Sequence, residues 1–209
     1  MQRSVERYHR VYQAGVVGRG RSKTNALGYT DEQRQAPVAN HGEHPNLVAQ
    51  PEDAMTNMLE GGCACGRLRY RMRSAPMFVH CCHCKDCQRQ TGTGFVLTAL
   101  IEANRIELLA GEPRPYAMPT DSGRPHRVFR CADCGSAAWS EYGGLTTLRF
   151  VRVGTLDDPQ ALPPDVHIYV RSKLPWITLP KDVPAFDAYY DSRTLWPVAS
   201  LERRKAVLG

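Results

Sequence analysis

From Leu59 onward the chain changes character, and its apolar residues begin to fall at strand-like spacing. Leu68-Arg69-Tyr70-Arg71-Met72 alternates apolar and polar side chains, the pattern of a strand with one face buried. Gly94 to Ile101 is a continuous β-prone run, which predicts a strand covered on both faces. Arg105–Leu109, Val128–Phe129, Ala137–Tyr142, Arg149–Val153 and His167–Val170 are shorter strand candidates, separated by Gly, Pro and Asp. The convincing helical stretch is Lys85–Thr91, stopped by Gly92. The expectation is a β-rich domain, all-β with a short helix, over residues 58–192, followed by a C-terminal tail over 193–209.

Residues 1–57 lack this patterning. They are rich in Arg, Gln, Asn, Gly and Ala, contain no cysteine, and show no sustained period of 2 or 3.6. The segment is expected to be a disordered or extraneous leader, with a short helix in Met1–Tyr12 at most. Met55 and Met58 stand just before the first cysteine motif.

At 209 residues the chain can bury one sizeable core. It has no run of 18 apolar residues, and its start, MQRSVERYHR, lacks the apolar stretch of a secretory signal. A cytoplasmic protein with no membrane partner is expected. The net charge of +6 suggests nucleic acid at first sight. However, the basic residues are scattered, and two zinc ions on seven thiolates would bring the charge to about +3. Arg67, Arg69, Lys85, Arg89 and Arg130, which stand near cysteines in the sequence, then read as compensation for anionic centres, and no nucleic-acid partner is expected.

Seven of the eight cysteines carry the candidate chemistry. They form Cys63-x-Cys65, Cys82-x-Cys84-x-x-Cys87 and Cys131-x-x-Cys134. In a reducing compartment such clusters point to metal rather than disulfides. Tetrahedral zinc needs sulfurs about 3.8 Å apart. In extended chain, residues i and i+2 face one way, so Cys63 and Cys65 can aim at one ion, and so can Cys82 and Cys84. Cys131 and Cys134, followed by Gly135, resemble a zinc-ribbon knuckle. Ligand counting joins Cys63, Cys65, Cys131 and Cys134 in one closed site. Cys82, Cys84 and Cys87 remain as a trio for a second ion with an open position, as catalytic zinc keeps. Closure of the trio by His80 or Cys81 is the alternative. In extended chain Cys81 and His83 point away from Cys82 and Cys84, which gives Cys81 a core role and His83 a core or supporting one.

Cys63-x-Cys65-Gly66, Cys82-His83-Cys84-x-x-Cys87-x-x-x-x-Gly92, Cys131-x-x-Cys134-Gly135 and His167-Ile168-Tyr169-x-x-Ser172-Lys173-x-Pro175-Trp176 together resemble the glutathione-dependent formaldehyde-activating enzyme family, to which centromere protein V is related. The resemblance runs from about Leu59 to Tyr190. It implies a β-tent (Mss4-like) sheet assembly built around zinc. It also implies that the outer pairs hold a structural zinc and the trio a catalytic one. Arg130 stands directly before the third motif, where the family commonly has an aromatic residue, and Phe129 is one position earlier.

The expected activity is that of a zinc-dependent carbon–sulfur lyase, with two ions per chain, adding glutathione or another thiol to formaldehyde or a similar small aldehyde. A non-catalytic zinc-binding interaction module is the alternative. His83 and His126 are the candidates for proton transfer. Arg67, Lys85, Arg89, Arg171 and Lys173 are candidates for glutathione carboxylates, each also readable as a solvated cation. Trp176, after Pro175, reads as core packing rather than a pocket wall.

Overall fold

Side-chain alternation along the strands divides the molecule into layers. The computed structural model describes residues 58–209, so the leader expected over 1–57 lies outside the described residues. A small antiparallel sheet comprises β1 (Leu59–Gly62), β2 (Arg69–Met72) and β5 (Ile106–Ala110) in the order β1-β2-β5. The large sheet takes β3 (Phe78–Cys82), β4 (Val96–Glu102), β6 (Pro113–Ala117), β7 (His126–Cys131), β8 (Ala137–Tyr142), β9 (Leu148–Arg152), β10 (Val166–Ile168) and β11 (Ala185–Phe186). Its order is β11-β10-β3-β4-β9-β8-β7-β6, with β10 parallel to both β3 and β11.

On one face of the large sheet, Val79, Ala99, Ile101, Trp139 and Val151 pack with Leu68, Tyr70 and Met72 from β2 and the turn before it. Tyr70 meets the Trp139 ring edge-on at 5.6 Å. The alternate residues Phe78, Leu100 and Leu148 face the other way and pack with Tyr190 and Trp196. Both faces of β3 and β4 are therefore covered, which is why β4 reads as a continuous apolar run. The small sheet docks tightly at Gly61, where a Cβ atom would lie 2.5 Å from the Thr155 carbonyl oxygen. Only glycine permits that approach.

The segment 193–209 is not a loose tail. Trp196 is buried and stacks on Phe78 at 5.1 Å, and its indole N–H donates to the Tyr190 hydroxyl at 2.7 Å. A second helix, α2 (Val198–Leu208), follows it. Ser200 Oγ donates to the Met77 carbonyl at 2.7 Å, and Arg203 pairs with buried Glu102 at 2.6 Å. Leu201 and Val207 pack partly buried beside these polar anchors, a pattern too sparse in the sequence to announce an amphipathic helix.

The first helix, α1, spans Lys85–Thr91 as expected, and Gly92 closes it in the left-handed region at φ 68°. Strands β1, β3, β6 and β11 were not foreseen. β6 contains Pro113 and Pro115, which survive because it is an edge strand of its sheet. Phe95, placed inside the Gly94–Ile101 run, precedes β4 and is exposed.

Candidate metal centres

The outer cysteines meet where two turns face each other. Cys63 and Cys65 do not lie in extended chain, contrary to the i, i+2 expectation. β1 ends at Gly62, and a turn closed by Gly66 N–H to the Cys63 carbonyl at 3.0 Å brings the two sulfurs to 3.4 Å. The opposite turn leaves β7 at Cys131, with Gly135 N–H donating to the Cys131 carbonyl at 3.0 Å and Gly135 at φ 74°. Cys65 Sγ lies 3.9 Å from Cys131 Sγ, and all four sulfurs fall within 4.8 Å of one another. That spacing fits a tetrahedral four-thiolate ion, whose sulfurs sit ~3.8 Å apart.

Ser136 and Arg67 lock the two turns together. Ala64 N–H donates to Ser136 Oγ at 3.2 Å, and the hydroxyl lies 3.2 Å from Cys134 Sγ. The Ser136 hydroxyl and backbone N–H hold the Cys134 thiol down at about 5, so that sulfur is a thiolate at neutral pH. Arg67 pairs with Asp133 at 2.6 Å across the two turns.

Strand end, helix cap and first helical turn build the second cluster. Cys82 closes β3, Cys84 is the N-cap of α1, and Cys87 lies in its first turn. Cys87 N–H donates to Cys84 Sγ at 3.4 Å, a capping bond with sulfur as acceptor. The three sulfurs lie within 4.8 Å of one another. Hydrogen bonds from Cys82 and then Cys87 hold the Cys84 thiol far below its ordinary value, while hydrogen bonding to Cys84 and Cys87, and then burial, drive the Cys82 thiol up. The three sulfurs thus share their charge as one coupled group rather than titrating independently.

Neither proposed closing ligand reaches the trio. His80 is buried with its Nε2 3.0 Å from the Tyr190 hydroxyl. That hydroxyl also accepts from the Trp196 indole N–H, and burial holds the His80 imidazole neutral at about 4. Cys81 points to the opposite side of β3, toward His83 and His167. His83 Nε2 lies 3.0 Å from His167 Nδ1 and 3.7 Å from Cys81 Sγ, and all three residues are buried. Burial pushes the Cys81 thiol up to about 12 and His83 down to about 4, and it lowers His167 as well, in a third group whose ligand atoms lie within 4.8 Å of one another.

The wall around the trio comes from distant segments. Gln88 on α1 donates to the His83 carbonyl at 2.8 Å and the Ser172 carbonyl at 2.9 Å, tying the helix to the chain after β10. There Tyr169 has φ 57°, the one non-glycine residue with positive φ among those described. It packs in the same cluster as Cys84 and Cys87, and strain of this kind gathers at functional sites. His126 meets Gln90 of α1 at 3.3 Å. Lys173 Nζ donates to the Leu174 and Ile177 carbonyls, Lys85 to Gln88, and Arg171 lies over the Tyr169 ring. Trp176, read as core, is 72% exposed and stands with Leu174 and Ile177 over Gly94. The participation of Gln88, Gln90 and Tyr169 was not foreseen, since no spacing rule marks them. Among the described residues no helix is long and apolar enough to cross a membrane.

A β-rich domain with two separate cysteine clusters of metal-binding geometry defines the class of protein. The chain belongs to the glutathione-dependent formaldehyde-activating enzyme family, whose model matches residues 58–172, more than half of its length. A curated protein of Halomonas elongata, named provisionally as a glutathione-dependent formaldehyde-activating enzyme, is 25% identical over 127 residues, covering 58% of this chain and 81% of its own. A solved Rhodobacter sphaeroides structure covers 61% of this chain and 99% of its own at 16% identity and a TM-score of 0.38, too loose a likeness to carry an argument.

Proposed function

We propose that the chain is a zinc-dependent carbon–sulfur lyase that joins glutathione, or another thiol, to formaldehyde or a similar small aldehyde. It would act in the reducing cytoplasm, with residues 58–209 as the working domain. In the addition, the thiol sulfur bonds to the carbonyl carbon, the carbon–oxygen π bond opens, and the thiol proton passes to the oxygen. The product is an S-hydroxymethyl thioether alcohol.

The observation that carries this reading is the trio. Three sulfurs of Cys82, Cys84 and Cys87 converge, with no fourth metal-ligating side chain in their group among the described residues. Cys82, Cys84 and Cys87 would hold a catalytic zinc, and Cys63, Cys65, Cys131 and Cys134 a structural one. Bound at the trio, a divalent zinc ion supplies the positive charge that keeps an added thiol ionised at neutral pH. The chain's own part is to hold the three thiolates on a short rigid unit, with Gln88 fixing α1 against the segment that carries Tyr169. His83 is sealed in the core, so His126, beside Gln90, is the better placed candidate for proton transfer.

The test is zinc content together with exchange of the hydroxymethyl protons, followed by NMR with glutathione and formaldehyde. Two zinc ions per chain and exchange faster than the uncatalysed background support the reading. Two ions with no acceleration for any small aldehyde would favour a non-catalytic zinc module, for which exposed Phe95 and Trp176 offer an aromatic contact surface.

A further inference from the structure

Besides the histidines, three ionisable side chains of Asp, Glu, Lys or Arg type are buried among the described residues: Glu102, Glu141 and Arg152. Glu102 is paired with Arg105 and Arg203, and Glu141 with Arg127 and Arg149. Arg152 has no carboxylate partner among the described residues. Its Nε is buried without a hydrogen bond, and its Nη2 reaches Gln90 Oε1 at 3.5 Å, a long contact. A buried guanidinium with so few acceptors is costly unless an anion completes it.

The fold aims this cation toward the trio. Arg152 on β9 pairs with Thr98 on β4, and Thr98 with His80 on β3. These residues share a sheet face with Cys82, two positions beyond His80, and with Phe150, which packs in the cluster of Cys84 and Cys87. Gln90, the residue Arg152 touches, lies three positions after Cys87 and so on the same side of α1. The side chains that meet Gln90 beside Arg152 are not anionic: Arg130 Nη2 donates to the Gln90 carbonyl at 3.3 Å, and His126 meets the Gln90 amide. Burial lowers the Arg152 pKa, and the charges of the trio's sulfurs, Cys87 first, oppose that shift.

We infer that Arg152 sets the charge preference of the trio, making its open position favour an anionic sulfur ligand, a thiolate, over a neutral donor. This rests on the reading of Cys82, Cys84 and Cys87 as a metal centre. A divalent ion on three thiolates carries one net negative charge, and a fourth thiolate raises it to two. In a desolvated site the second charge is opposed, and the guanidinium offsets it. A neutral ligand adds no charge and gains nothing from Arg152. Arg152 is thus a positioning residue acting through the field it creates.

The full chain reconstituted with cobalt(II) reads this directly, because visible absorption reports each ligand added at the metal. The probes are mercaptoethanol, whose only ionising group is the thiol, and imidazole. Arg152→Met should still hold two cobalt ions, bind mercaptoethanol about 10- to 100-fold more weakly, and bind imidazole as the parent does, the scale expected for removing one unit charge from a partly desolvated site. Arg152→Lys should recover part of the thiolate affinity. If Arg152→Met fails to fold, Arg152→Gln carries the same comparison. Equal losses for both probes, or no loss for either, overturn the inference while leaving the metal centre intact. A parent chain that binds one cobalt ion only overturns the metal-centre reading and this inference together.

Discussion

Cys65 Sγ and Cys131 Sγ sit 3.9 Å apart, although 66 positions separate them in the chain. Between them run β2, β3, α1, β4, β5 and the edge hairpin of β6 and β7, so any ion held there closes a loop through half the strands of the large sheet. The trio closes nothing comparable, because Cys82, Cys84 and Cys87 span a single strand-to-helix junction. The two clusters should therefore respond differently to mutation.

Cys131→Ala removes a buried sulfur from the long-range cluster. Zinc content should fall by about one ion per chain, and the domain should become insoluble or melt far lower, since structural zinc contributes on the order of 10 kcal/mol to such folds. A soluble variant with full zinc content and an unchanged melting curve refutes the structural assignment.

Cys84→Ala removes the sulfur that caps α1 and stands between the other two of the trio. The outer cluster is untouched, so most of the fold should persist, with a loss of about 1 kcal/mol for the cap. One zinc ion and all acceleration of thiol–aldehyde exchange should disappear. Circular dichroism alongside metal analysis separates this outcome from that at Cys131.

Arg203→Ala deprives buried Glu102 of the guanidinium that docks α2. Arg105 remains 3.2 Å away and compensates in part. The expected loss is about 3 kcal/mol, the lower end for breaking a buried pair. Urea denaturation should report it, with metal content unchanged.

Tyr70 carries an alkaline signature. Burial raises its phenol to about 12 from an ordinary 10, while its hydroxyl stays 2.7 Å from Thr155 Oγ1. The folded state holds this proton more tightly, so the contribution is complete below pH 10 and is lost as pH rises from 10 to about 12. Relative to Tyr70→Phe, the parent should lose about 2–3 kcal/mol across that window in denaturant titrations.

The legible parts of the fold were those governed by neighbours in the chain. Ala137–Tyr142 and Lys85–Thr91 emerged with the expected bounds, because alternation and a closing glycine are local signals. β1 went unseen because Gly61 and Gly62 weaken any strand pattern, yet Gly61 is there to let Thr155 approach. α2 went unseen because Ser200 and Arg203 dock it together with only two partly buried apolar residues, Leu201 and Val207, too few to stand out as a stripe. At the site, the turn at Cys63–Cys65 replaced the extended segment that i, i+2 geometry had suggested.

Ligand type and spacing along the chain already grouped the seven clustered cysteines into pairs and a trio, since tetrahedral coordination limits how sulfurs can be shared. The surroundings of those sulfurs were beyond that logic. Tyr190 turning His80 away, His167 meeting His83, and Arg152 left without a carboxylate all depend on strand order in the large sheet. Strand pairing is set by burial of whole faces, a property shared by residues far apart in sequence, so no local pattern in the chain encodes which charge ends up beside which sulfur.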